Sequence, residues 1–299
     1  MRWLLFLLMV FATSQAGAQS VCLSFDDGPD ITQTEPMTPS ERNAALLIAL
    51  NAKKVSSILF VAGVRVDSME GLALVRDWGE AGHLIANHTY SHGYFPAKKW
   101  PLEAFEADTL KNEALLKGFP NYTRLFRFPF LKEGDTKEKR DGFRQFLKAQ
   151  DYRVGCVSID ASDWYYDQRL RAWLKAHPKA DPALFKKPYL DHLWGRAQYY
   201  DGLSNRVLGR SVKHVLLLHH NLINALFISD VIELFREKGW EIIDPMKAFA
   251  DPVYAREPKV LPAGESILWS LAKQRGVKGL RYPAEDDVYE APFLDKLGL

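Results

Sequence analysis

Two short stretches of this 299-residue chain hold side chains that could do chemistry together. Phe25-Asp26-Asp27-Gly28-Pro29 sets adjacent carboxylates at the end of an apolar run, Val21–Phe25. Further on, His88-Thr89-Tyr90-Ser91-His92 sets two imidazoles four positions apart, so that one helical turn would aim both rings the same way. One carboxylate and two imidazoles make a facial metal site with open positions. The neighbouring carboxylate is then free to act as a base beside the ion, which is the equipment for metal-assisted hydrolysis. Taken singly, each feature has a plainer reading: the histidines as a surface or structural pair, Asp26 as a turn carboxylate in Asp-Gly-Pro. The combination points to Asp27, His88 and His92 as ligands and Asp26 as base, with Gly28 and Pro29 fixing the turn.

Such residues need a rigid frame. Strand-like runs alternate with helical stretches through most of the chain. The spacing predicts strands at Val21–Phe25, Ser57–Val61, Leu84–Ala86, Leu125–Phe126, Val154–Ile159, Val215–Leu218 and Glu241–Ile243. Thr38-Pro39-Ser40-Glu41 reads as a capping box with proline at the first helical position. Further helices are expected over 71–81, 102–117, 137–150 and 229–238. The alternation implies parallel strands with helical crossovers, and seven strands in one series suggest a closed or nearly closed barrel. The fold expected is therefore α/β: a distorted (β/α)7 TIM-like barrel over residues 19–250. Residues 165–209, rich in aromatic and basic side chains, fit the series poorly and read as a helical insertion. Residues 251–299, with a helix at 266–274, read as a C-terminal extension packed on the barrel.

Composition narrows the partners. Lys and Arg number 39 against 37 Asp and Glu, and no basic run is dense enough to suggest nucleic acid. Arg2, the apolar stretch Leu4–Ala12 and Ala16-Gly17-Ala18 read as an export signal cleaved after residue 18. The stretch is well short of the ~20 residues a membrane span needs. A periplasmic or secreted location follows, with no stable membrane span. Cys22 and Cys156 fall on strands that are not expected to be neighbours, so both are expected as buried thiols. Oligomeric state is not legible.

In a barrel enzyme the reactive residues fall just after strands. Asp26 and Asp27 follow the first strand here, His88 and His92 the third, Arg127 the fourth, Asp160 and Asp163 the fifth, and His219 the sixth. Ser24–Pro29, His88–His92, Arg127-Phe128-Pro129-Phe130, Asp160-Ala161-Ser162-Asp163-Trp164 and Leu217-Leu218-His219 resemble the five ordered motifs of the polysaccharide deacetylase family, carbohydrate esterase family 4 with its NodB-type homology domain. The resemblance runs from about residue 21 to 250. It implies one divalent ion, usually Zn2+ with Co2+ or Mn2+ as alternatives, held by Asp27, His88 and His92.

Residue chemistry and resemblance together give the other roles. Arg127 is expected to hold Asp26 ionised and oriented, although an ordinary buried ion pair would look the same. His219 is expected to protonate the leaving amine, with Asp163 favouring the charged ring and fixing its tautomer. By resemblance, the main-chain N–H of Phe130 faces the oxyanion. Trp164 and Leu217 are read as pocket wall or as core. Tyr90, Tyr94, Phe95, Trp100, Trp164, Tyr165 and Tyr166 lie near strand ends and make a sugar cleft plausible, with Tyr90 a candidate contact. Phe130 stands where the family commonly has Tyr, and Leu131 where it has Gly. His220 follows His219 where Asp is common; the Leu-x-His pattern and strand alternation favour His219 as the acid. The substrate implied is an acetylated polysaccharide or oligosaccharide, peptidoglycan or chitin-like, cut at N-acetyl groups. An acetyl-xylan esterase and a non-catalytic carbohydrate-binding protein are the alternatives.

Overall fold

The computed structural model describes residues 19–281 and 287–299, so the expected signal over residues 1–18 lies outside the described residues. The strands among them are β1 (Ser20–Asp26), β2 (Ile58–Val61), β3 (Leu84–Asn87), β4 (Tyr122–Phe126), β5 (Lys132–Gly134), β6 (Arg153–Val154), β7 (Lys213–His219), β8 (Glu241–Ile242) and β9 (Ala263–Gly264). The main sheet runs β6-β4-β3-β2-β1-β7, with every pairing parallel. A single bridge, Ile159 to Leu216, then brings the segment after β6 against β7, and the sheet curls into a distorted barrel. This is the parallel barrel with helical crossovers that the alternation implies.

Two strands depart from the expected pattern. The fifth, expected over Val154–Ile159, forms a ladder only at Arg153–Val154. The carbonyls that would extend it are taken elsewhere: Gly155 O accepts from Arg127 Nε at 2.8 Å, Val157 O from Ile267 N at 2.9 Å and Ser158 O from Ser266 Oγ at 2.8 Å. The seventh does not sit beside the sixth. β7 instead pairs with β1 along its whole length, Ser20↔Lys213 through Asp26↔His219. β8 meets only Ser20 and Val21, on the edge of β1 that β2 occupies further along.

The helices follow local capping chemistry. Pro39–Ala52 carries the capping box, with Thr38 and Glu41 exchanging hydrogen bonds. Met69–Glu80 and Lys137–Ala149 are capped by Ser68 and Thr136. The helix expected over 229–238 starts seven residues earlier and spans Leu222–Glu237, capped by Asn221. Its first turns are buried on nearly every side, so they carry no polar period to read. The region 165–209 is helical, with Asp163–Ala176 and Lys186–Leu208 as its long helices. Leu268, Leu271 and Ala272 of the Ile267–Gln274 helix belong to the same apolar core as β1 and β7. Cys22 and Cys156 are both free. No helix of the described residues is long and apolar enough to cross a membrane.

Side-chain alternation aims the polar residues. Phe25 packs outward on Trp78, ring centroids 5.3 Å apart, while its neighbours Ser24 and Asp26 meet Arg127. Phe126 and Phe128 join a separate aromatic cluster with Phe95, Phe105 and Phe143. That turns Arg127, between them, into the barrel.

Candidate active site

The strand ends open onto a cleft of about 610 Å3 lined by Asp26, Asp27, His88, His92, Phe130, Trp164, Leu217 and His219, among others. Asp26 is the last residue of β1 and is buried. The chain then reverses: Asp27 has φ +73° and Gly28 φ +89°, and Gly28 N–H donates to Asp26 O at 3.0 Å. Two successive left-handed residues turn Asp27 away from the strand direction, a turn that glycine makes easily at the second position.

His88 follows β3 directly. Residues 88–92 are not a helical turn, contrary to the expectation from their spacing. Thr89 and His92 stand at φ +63° and +50°. Side chains take the hydrogen bonds a helix would have used: Thr89 N donates to Asn87 Oδ1 at 2.9 Å, Ser91 N to Asp108 Oδ2 at 2.9 Å and Ser91 Oγ to Asp108 Oδ1 at 2.6 Å. The loop still converges the two rings, with centroids 5.0 Å apart.

Ligand atoms of Asp27, His88 and His92 all lie within 4.8 Å of one another. Nε2 of His92 is 3.0 Å and Nε2 of His88 3.7 Å from Asp27 Oδ1. That oxygen is buried and accepts no hydrogen bond. His88 Nδ1 lies 2.8 Å from Arg127 O, so it carries the proton and leaves the Nε2 lone pair facing Asp27. Burial pushes the His88 ring down to about 4, against the pull of Asp26, and it is neutral near pH 7. Burial alone would raise Asp27; His92, and after it His219 and His88, instead hold its carboxyl well below the usual carboxylate range. An orphaned carboxylate oxygen facing imidazole nitrogens, one of them in the ligating tautomer, fits a divalent cation.

Asp26 borders this set, its Oδ2 3.6 Å from His88 Nε2, and is anchored from the other side. Arg127 Nη1 donates to Asp26 Oδ1 at 2.6 Å and to Ser24 Oγ at 2.9 Å, and Arg127 Nε to Gly155 O at 2.8 Å. The guanidinium lies 3.9 Å from the Phe60 ring centroid. His219, the register partner of Asp26, closes β7. Its Nδ1 lies 2.8 Å from Asp163 Oδ1 and its backbone N donates to Asp163 Oδ2 at 2.7 Å. Asn221 Nδ2 and Asn224 Nδ2 also donate to Oδ2, at 3.1 and 2.8 Å. Burial alone would lower His219, but the Asp163 carboxylate, with Asp27 and Asp26 adding to it, pushes the ring up to about 10.

A sequence model of polysaccharide deacetylases matches residues 13–151. A peptidoglycan-N-acetylglucosamine deacetylase of Bacillus cereus is 28% identical over 145 residues, which are 48% of this chain and 46% of that protein. Over these residues the chain is similar to polysaccharide deacetylases. It spans about half the length of the Bacillus cereus relative. The family 4 carbohydrate esterase from Streptomyces lividans superposes with a TM-score of 0.50 at 21% identity, covering 78% of this chain and 96% of that one. The Bc1960 peptidoglycan N-acetylglucosamine deacetylase gives 0.52 at 20%, covering 78% and 89%. At these identities the two structures speak to the fold alone.

Within this barrel the remaining expected residues divide. Trp164, Leu217 and Phe130 line the cleft. Phe130 is half exposed, stands at φ +56° and packs on His92 and Tyr94 at 4.7 and 5.7 Å. Tyr90 does not face the cleft: its hydroxyl donates to Asp67 at 2.6 Å and Lys111 covers its ring. Positive φ at Thr89, just before it, turns Tyr90 outward. Phe95, Tyr165 and Tyr166 are buried. His220 points into the core beneath Trp78, its Nε2 3.1 Å from Asn43 Oδ1, and burial pushes it down to about 3. Arg65, Lys132 and Glu265 also line the cleft and carry no motif signal. Only the chain's path brings them there.

Proposed function

We propose that this chain removes acetyl groups from N-acetylated sugars of a polysaccharide, peptidoglycan or a chitin-like polymer, outside the cytoplasm. The observation that carries the reading is the pairing of Asp26 with His219 across β1 and β7, beside the Asp27–His88–His92 set. A carboxylate held by Arg127 and an imidazolium held by Asp163 thus share one cleft with the ligating triad. The match of residues 13–151 to the polysaccharide deacetylase model and the similarity to a peptidoglycan deacetylase support the substrate class.

Asp27, His88 and His92 would hold one divalent cation, most simply Zn2+ given a carboxylate and two imidazoles. Such an ion, when bound, supplies Lewis-acid polarisation of the acetyl carbonyl and acidifies water. Asp26 takes the proton from the attacking water, with Arg127 fixing the position of its carboxylate. His219 is protonated at neutral pH and gives its Nε2 proton to the departing amine, while Asp163 fixes Nδ1–H and so the orientation of the ring. The amide requires this acid, because an amine leaves poorly without a proton. Phe130 N–H is assigned to the oxyanion; one such donor is worth on the order of 10²–10³ in rate. Phe130, Tyr94 and Trp164 offer ring faces to a sugar.

The test is acetate release from N-acetylglucosamine oligomers by the zinc- or cobalt-loaded protein, repeated with Asp26→Asn. A fall of roughly 10²–10⁴ with metal content unchanged supports the base assignment; normal turnover by the variant overturns it. Acetate from acetylated xylan but never from amides would point to an esterase. Sugar binding without acetate from any substrate would point to a non-catalytic protein.

A further inference from the structure

One wall of the cleft is built by residues far beyond the stretch that the family's sequence model matches. β9 pairs antiparallel with β5, Lys132 opposite Gly264 and Gly134 opposite Ala263. Glu265 N–H donates to Leu131 O at 2.8 Å. Phe130, Leu131 and Glu265 stand at φ +56°, +55° and +71°, conformations that side chains other than glycine keep only when their surroundings hold them. Gly264, at φ +122°, brings its backbone so close that a Cβ there would lie 2.0 Å from Leu131 O. The side chains repeat the tie: Lys132 Nζ donates to Glu265 Oε1, and both side chains are more than nine-tenths buried in the cleft wall. On the other side Ser266 Oγ donates to Ser158 O and Ile267 N to Val157 O. Residues 263–267 therefore staple the Phe130 loop to the stretch after β6 where the barrel ladder fails.

We infer that residues 263–267 are a positioning element of the active site, and that the Lys132–Glu265 pair sets where Phe130 and Leu131 stand against the substrate. Its effect on turnover rests on the hydrolase reading above; the positioning itself does not. Without the staple, the left-handed pair Phe130–Leu131 has no partner strand to hold it. The loop then samples other conformations, and the Phe130 N–H and ring lose their fixed place.

A charge-reversal cycle tests this: Lys132→Glu, Glu265→Lys, and the two together in the full-length, metal-loaded protein. The first readout is amide hydrogen exchange of a peptide spanning 128–134. We expect exchange there to quicken by roughly 10²–10³-fold in each single variant, as for a buried pair broken on one side. Exchange in β1 and β7 stays as in the wild type, and the double variant returns to within about threefold of it. The second readout is acetate release, where kcat falls more than KM rises in the single variants and recovers in the pair. Glu265→Gln keeps the shape and covers the case in which a reversed charge prevents folding; exchange confined to 128–134 is expected to quicken severalfold. Unchanged exchange at 128–134 in the single variants overturns the inference. So does chain-wide loss of protection that the double variant fails to restore, which marks the pair as a general stabiliser. If exchange follows the cycle while the wild type releases no acetate from any substrate, positioning stands and the hydrolase reading fails.

Discussion

Replacing Asp163 with Asn probes the acid directly, because its two oxygens do different work. Oδ2 accepts three hydrogen bonds, from His219 N, Asn221 Nδ2 and Asn224 Nδ2. An asparagine at 163 must therefore keep its carbonyl oxygen on that side, since an NH2 group there would face three donors. Its NH2 group then falls where Oδ1 was, 2.8 Å from His219 Nδ1. Nδ1 becomes an acceptor, and the ring is held neutral with its proton on Nε2. Two losses follow. The attraction that lifts His219 to about 10 loses its largest upward contribution, worth roughly 1–3 pH units for an opposite charge at this range. A ring at about 10 is almost fully protonated at pH 8, whereas one lowered by roughly three units is only about a tenth protonated. Turnover at pH 8 should fall about tenfold from protonation alone, and further if Nδ1 is locked as an acceptor. The alkaline limb of acetate release, followed from pH 6 to 11, should move to lower pH in Asp163→Asn. Stability carries the same sign: a folded value raised above the ordinary ~6.5 stabilises fully below ~6.5, and that contribution is lost as pH rises towards about 10. The variant should lose that stretch of pH dependence in urea unfolding. An alkaline limb unmoved by the substitution refutes the pairing as the source of the acid.

Arg127→Met leaves Asp26 buried with its cation gone, so the variant should be destabilised by about 3–5 kcal/mol in denaturant melts. His220→Gln should lower stability by about 1–3 kcal/mol through the bond to Asn43 and leave the pH–rate profile in place, whereas His219→Gln should abolish the alkaline limb. Chelation should remove activity and lower the midpoint of thermal unfolding by roughly 4–5 °C for an ion held at 100 times its Kd. In His88→Ala the same chelator should produce no further shift, a difference readable by scanning calorimetry.

The sequence by itself determined which residue types meet at the candidate site and the repeat of the fold. Asp26-Asp27, His88/His92, Arg127, Asp163 and His219 each follow an apolar run short enough to be a strand, and parallel strands with helical crossovers put all such ends on one rim. The choice of His219 over His220 was equally local, because alternation along β7 sends neighbours to opposite faces. Tertiary structure decided what spacing could not. The loop carrying His88 and His92 is aimed by Asn87 and by Asp108, a residue far along the chain, so a helix-like interval hides a non-helical turn and sends Tyr90 away from the cleft. The fifth strand frays because its carbonyls bond to Arg127 and to Ile267 and Ser266. Lys132 and Glu265 meet only because β9 returns to β5, and a contact across more than a hundred residues leaves no periodic or compositional trace. Residue types and short-range order were legible because they follow from local sterics and hydrogen bonding; the far wall of the cleft was not, because it depends on where the whole chain comes back to itself.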